Sequence, residues 1–104
     1  MSDIGIDLVH VPTFAEKMKS EAAVRRLFTE RELSETGGSI ETLAGMFAAK
    51  EAYFKALHKT PEWHAVEIEH KESGAPVLCT DPHAQVSISH DGEHAVAVVL
   101  VSEQ

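Results

Sequence analysis

Asp7 is the lone charged residue in the run Ile4-Gly5-Ile6-Asp7-Leu8-Val9, and Lys50-Glu51-Ala52-Tyr53-Phe54-Lys55 later places two bases and an acid within six residues. Glu51 and Lys55 stand at i and i+4, so on a helix they share one face; by themselves they are an ordinary ion pair worth a few tenths of a kcal/mol. Lys50 falls between Phe47 and Phe54 in an apolar stripe, and a lysine there must be paired or face a cavity. Asp7 alone reads as a strand-edge residue turned to solvent. If its strand packs beside the helix, however, Asp7 and Glu51 converge. Two carboxylates with room for water and phosphate describe a Mg2+ site, and lysines beside it would bind phosphate oxygens.

Ser87-Ile88-Ser89-His90 puts two hydroxyls on one face of a strand and a histidine before a turn. Without more, this is the polar face of a half-buried strand. No base and orienting partner for a nucleophile is evident, and no P-loop, dinucleotide fingerprint or HExxH pattern occurs.

The chain has 104 residues and a net charge of −8, from 17 acids against 9 bases. That length implies one domain, 1–104. Binding to nucleic acid needs a cationic footprint, so it is disfavoured. Five of the bases (Lys17, Lys19, Arg25, Arg26 and Arg31) fall within fifteen residues, either a solvated helix face or a docking patch for an acidic partner. No apolar run reaches the ~18–20 residues that span a bilayer, and no signal-peptide pattern is visible. The single cysteine, Cys79, excludes an internal disulfide or a multi-Cys zinc site, and a reducing, cytoplasmic compartment is expected.

The elements that must position these residues follow from periodicity. Ile4 to Val11 alternates as a strand, and Pro12 ends it and suits a first helical turn. Phe14, Met18 and Ala22 recur at helical spacing. Thr29-Glu30-Arg31-Glu32 predicts a capping box, with a short helix to about Glu35. Ile40 to His58 is the strongest helix, with Leu43, Phe47, Phe54 and Leu57 as its stripe. Ala65–His70, Val77–Cys79, Gln85–His90 and Ala95–Val101 read as strands. Asp91-Gly92 is a hairpin signal between the last two, and Ala95–Val101 is apolar enough for burial on both faces. The class is α+β, an antiparallel meander packed on one long helix. The apolar last strand points to further burial against another subunit.

Gly5-Ile6-Asp7, followed some forty residues on by Phe47-Ala48-Ala49-Lys50-Glu51-Ala52-Tyr53-Phe54-Lys55-Ala56-Leu57, resembles the paired signature of 4′-phosphopantetheinyl transferases. Within that superfamily the chain is most similar to the short holo-acyl-carrier-protein synthases. Leu27-Phe28-Thr29-Glu30-Arg31-Glu32-Leu33, Val86-Ser87-Ile88-Ser89-His90-Asp91 and Ala95-Val96-Ala97 resemble further segments of theirs, so the likeness runs from about Ile4 to Val101.

The resemblance implies a homotrimer with sites between subunits, coenzyme A as donor, Mg2+ as cofactor, and a serine of an acyl carrier protein or carrier domain as acceptor. It implies Asp7 and Glu51 as metal ligands, Glu51 and Lys55 as catalytic, Lys50 and Lys55 on the phosphates, and Ser89 and His90 at the nucleotide end. Glu51 or a metal-bound water is the expected base for the serine, and the sequence does not choose between them. Arg25 and Arg26 are the expected carrier-docking residues. The chain departs from the family pattern at Met46, usually arginine, at Thr13, near which a basic residue is common, and at Ala75, usually lysine. A glycine-rich loop is replaced by His58-Lys59-Thr60-Pro61. These changes remove phosphate contacts but leave the acids, so activity with altered donor contacts is expected. The alternatives are a noncatalytic trimeric carrier-binding or scaffold protein built on this fold, and a trimer-forming structural domain with incidental ion pairs.

Overall fold

The first strand, β1 (Ser2–His10), turns its large apolar residues outward. The structure, a computed structural model, describes residues 2–102. Ile4, Ile6 and Leu8 are 67%, 61% and 65% exposed, while Gly5 and Val9 are buried and Asp7 is half-buried on the other face. Four helices follow: α1 (Val11–Lys17), α2 (Glu21–Leu27), α3 (Glu30–Thr36) and α4 (Ile40–Leu57). A single 3-10 turn at Trp63–Ala65 leads to β2 (Ile68–His70), β3 (Pro76–Leu78), β4 (Ala84–Asp91) and β5 (His94–Ser102).

Strands β1, β5 and β4 form one antiparallel sheet in that order, with β5 central, and β2 and β3 pair separately. The expected four-strand meander is thus broken into two hairpins, and β1 closes the larger sheet by pairing with β5. On β5 only Ala95, Ala97 and Val99 are fully buried; the alternate residues Val96, Val98 and Leu100 are half-buried. Directly paired residues share a face, so Ile4 lies beside Leu100, Ile6 beside Val98 and Leu8 beside Val96. Burial of β5 on both faces, expected from sequence, is complete on one face only within the chain. The outer face is apolar and open.

The inner face rests on α4, which is buried on nearly all sides. Its small residues permit this. A Cβ on Gly5 would stand 1.9 Å from the Ala52 carbonyl oxygen and 2.9 Å from the Ala56 nitrogen, so β1 touches the helix backbone itself. No other residue fits there. The opposite side of α4, with Met46, Phe47 and Phe54, packs under α1, the helical turns and Trp63.

The capping box forms as expected: the Glu32 N–H donates to Thr29 Oγ1 at 3.2 Å and the Thr29 N–H to Glu32 Oε1 at 2.9 Å. The run after Pro12 is not one helix. Ser20 starts a second one, its hydroxyl accepting from the Ala23 N–H at 3.1 Å, because a serine cap offers the backbone a better partner there than continued helix. No helix among the described residues is long and apolar enough to cross a membrane.

Candidate active site

Because α4 runs antiparallel to β1 in contact with its inner face, the alternate residues Asp3, Gly5 and Asp7 meet successive turns near the helix C-terminus. Lys55 Nζ donates to Asp7 Oδ1 at 2.9 Å and to the Ile6 carbonyl at 3.1 Å. Glu51 stands one turn earlier on the same helix face. Partial burial, and next the negative charge of Asp7, push its carboxyl above the ordinary value, while Lys55 pulls it back. Asp7, Glu51 and Lys55 are thus one electrostatic unit, reached across Gly5 and built from residues 44 positions apart at Asp7 and Glu51. A cleft of about 360 Å3 opens beside it, lined by Glu51, Lys55, His58 and Lys59 over Phe54.

Lys50 does not join this unit. It is fully buried, and its Nζ donates to Glu32 Oε1 at 2.7 Å, to the Leu27 carbonyl at 2.8 Å and to the Trp63 carbonyl at 2.9 Å. All three N–H donors are occupied, and the ammonium also lies 5.4 Å from the Phe28 ring centre. The expected phosphate contact of Lys50 is therefore corrected: neighbouring positions on a helix point about 100° apart, and Lys50 faces the packed side while Glu51 faces the sheet. Its partner Glu32 also accepts the Ile68 N–H at 2.8 Å. One buried ion pair ties α2, α3, α4 and β2 together.

Ser89 and His90 lie on β4, two strands from Asp7 across β5. Ser89 shares the outer face with Val96 and Leu8, whereas Asp7 faces inward. His90 packs toward α4, where its Nε2 lies 3.0 Å from the Glu41 carbonyl. One chain alone does not bring these two residues to the acids.

The basic cluster is largely neutralised internally. Arg25 pairs with Glu21 at 2.7 Å and Glu30 at 3.6 Å, Lys19 with Glu16 at 2.8 Å, and Arg31 with Glu35, Glu67 and Glu69. Lys17 and Arg26 have no ion pair among the described residues, and both line a cleft of about 780 Å3 with Thr13, Phe14, Met18 and Phe47. The expectation for Arg25 shifts accordingly: its charge is held within the chain, and the free pair is Arg26 with Lys17.

Sequence patterns resolve what this arrangement is. The model of the 4′-phosphopantetheinyl transferase superfamily matches residues 3–99. The chain belongs to this superfamily. Holo-[acyl-carrier-protein] synthases of an Exiguobacterium species and of Anoxybacillus flavithermus are 40% and 38% identical to it, over 97% and 94% of this chain and 92% of each relative. The transferase is of the holo-acyl-carrier-protein synthase type. Solved structures agree. The Helicobacter pylori holo-[acyl-carrier-protein] synthase in complex with coenzyme A superposes with a TM-score of 0.88 at 28% identity, over 95% of this chain and 99% of that one. The Bacillus anthracis synthase, in complex with CoA (3′,5′-ADP), gives 0.85 at 32% identity, over 95% and 94%.

The family departures also find their places in the transferase. Met46 is 1% exposed in the core, and Ala75 sits exposed in the turn before β3. Thr13 Oγ1 lies 2.7 Å from His10 Nδ1. Sequence reasoning missed the contribution of His58 and Lys59 to the cleft wall and the pairing of Glu32 with Lys50. A signal for the second was present: Glu32 is the acid of the capping box and Lys50 a lysine in an apolar stripe.

Proposed function

We propose that the transferase moves 4′-phosphopantetheine from coenzyme A to a serine of an apo-acyl carrier protein, releasing 3′,5′-ADP, as a Mg2+-dependent homotrimer in the cytoplasm. The convergence of Asp7, Glu51 and Lys55 beside an open cleft, on this fold, carries the reading. A scaffold or purely structural domain has no use for a partly buried Glu51 whose proton affinity is raised by burial and by the charge of Asp7 beside it.

The residues fit a magnesium ion. Asp7 and Glu51 offer two carboxylates near enough for the charge of one to raise the proton affinity of the other. Mg2+ is commonly bound by one or two carboxylates with substrate phosphates and water completing its shell. When bound, it would neutralise the acid pair and the donor's pyrophosphate.

The remaining chemistry belongs to the chain. The serine Oγ attacks the β-phosphorus of coenzyme A. The bond to the bridging oxygen breaks, and 3′,5′-ADP leaves with its electron pair. The serine proton goes to Glu51 or to a water beside it. Lys55, anchored by Asp7 and the Ile6 carbonyl, places its remaining N–H toward the phosphate oxygens as charge develops. Phosphoryl transfer needs such positioning and neutralisation more than covalent assistance.

The open apolar face of β1 and β5 supports assembly, and the resemblance supplies the number three. Assembly also accounts for Ser89 and His90: a neighbouring copy could present them to the nucleotide end of a donor held at Asp7 and Glu51. The carrier would meet Arg26 and Lys17. Thermal melting tests the donor reading directly. Coenzyme A with Mg2+ at about 100 times Kd should stabilise the chain by ~2.7 kcal/mol. No shift would overturn it, and sedimentation as a monomer at micromolar concentration would overturn the trimer.

A further inference from the structure

His58 is the one non-glycine residue with a positive φ among the described residues, at φ +56° and ψ +41°. It ends α4. Its N–H donates to the Lys55 carbonyl at 3.1 Å, and the Lys59 N–H reaches back to the Phe54 carbonyl at 3.1 Å. This is the left-handed helix stop at which glycine is the favoured residue, because a Cβ is penalised there. Nothing in the helix end requires an imidazole, so the surroundings of the side chain decide what it is for.

That side chain is at the cleft. His58 and Lys59 line it together with Glu51 and Lys55. The imidazole is 76% exposed, and among the described residues the acid within ion-pair reach is Asp3, with Nε2 3.6 Å from Oδ1, too far for a hydrogen bond. Its ring makes no hydrogen bond to the described residues. Lys55 already gives two of its three donors to Asp7 and Ile6. Lys50 is buried and Met46 is in the core. A dianionic group entering past Asp3, Asp7 and Glu51 needs further donors, and His58 and Lys59 hold them.

We propose that His58 is a donor-binding residue: its imidazole N–H, flanked by the Lys59 ammonium, contacts the pyrophosphate of coenzyme A at the open end of this cleft, an inference that rests on the transfer reading above. The left-handed residue thus adds a side-chain donor to the cleft wall beside Lys55 and Lys59, at the expense of helix-end stability.

The two effects have opposite signs, which makes the test specific. His58→Gly should melt at the same temperature as the unaltered protein or up to about 5 °C higher, yet bind coenzyme A about 5–20-fold more weakly by isothermal titration with Mg2+ present. His58→Asn, which tolerates the left-handed region and keeps an N–H donor, should stay within about threefold of the unaltered protein. Dephospho-coenzyme A retains the pyrophosphate and lacks the 3′-phosphate, so it should show the same fold loss in His58→Gly. Unchanged binding of both ligands by His58→Gly, or a loss confined to coenzyme A, overturns the proposal. Failure of the unaltered protein to bind coenzyme A at all instead overturns the transfer reading on which it rests.

Discussion

Replacing Lys50 by methionine separates a structural lysine from a phosphate-binding one. Methionine fills most of the volume but donates nothing. Glu32, 1% exposed, would keep its charge with only the Thr29 and Ile68 N–H groups as partners. The Leu27 and Trp63 carbonyls would lose the donor now 2.8 and 2.9 Å away. Breaking a buried pair from one side costs about 3–5 kcal/mol. For a domain of this size total stability is about 5–15 kcal/mol, so Lys50→Met should remove a large share of it and lower Tm by roughly 20 °C. A double-mutant cycle with Glu32→Gln should give a coupling of about 2 kcal/mol. Urea and thermal melts measure the stability, and coenzyme A titrations of the folded fraction measure binding. A Tm within about 2 °C of the unaltered protein, together with a tenfold or greater loss of coenzyme A affinity, would refute the placement of Lys50 and restore it to the phosphates.

Gly5→Ala forces a Cβ to within 1.9 Å of the Ala52 carbonyl oxygen, so β1 must lift by more than an ångström, on the order of 3 kcal/mol or more; Asp7 moves with it, and kcat should fall about 100-fold in the protein that remains folded. Glu51 has a folded pKa above its unfolded value, so its contribution favours the fold at acid pH and is lost as pH rises through the raised value. Glu51→Gln should therefore melt slightly above the unaltered protein at neutral pH, lose that advantage below the ordinary carboxylate range, and lose any Mg2+-dependent rise in Tm; an identical pH–Tm profile for both proteins would contradict the shift. Arg26→Ala should raise KM for an acidic carrier at low salt, with the defect shrinking as salt rises, while Arg25→Ala, whose guanidinium is occupied by Glu21 and Glu30, should raise it less; a defect in Arg25→Ala as large as in Arg26→Ala would return the docking role to the whole cluster.

The chemistry was legible in the sequence wherever it rested on local spacing. The Thr29–Glu32 box, the long α4, the hairpin at Asp91-Gly92 and the Glu51–Lys55 face all follow from short-range rules, and the structure contains each of them. The approach of Asp7 to this face was conditional on β1 packing beside α4. The decisive residue was Gly5, whose role as a contact between backbones shows only in three dimensions. Lys50 was misplaced because an apolar stripe identifies a buried position without naming the partner, and Glu32 lies 18 residues away on another helix. The outward face of β1 was hidden for a related reason. Alternation fixes which residues share a face, but Ile4, Ile6 and Leu8 point away from the core because the helix has taken the side where Gly5 lets it come closest.

The central claim is transfer to a carrier serine, and intact-protein mass spectrometry reads it without coupling enzymes. The purified protein is incubated with coenzyme A, Mg2+ and a panel of apo-acyl carrier proteins. At least one carrier should gain the mass of one 4′-phosphopantetheine, with 3′,5′-ADP appearing in equal amount, and neither product should form with Asp7→Asn or Glu51→Gln. Apo-carriers that all keep their mass while the protein demonstrably binds coenzyme A would contradict the account, leaving a protein of the transferase fold that holds the donor without transferring it.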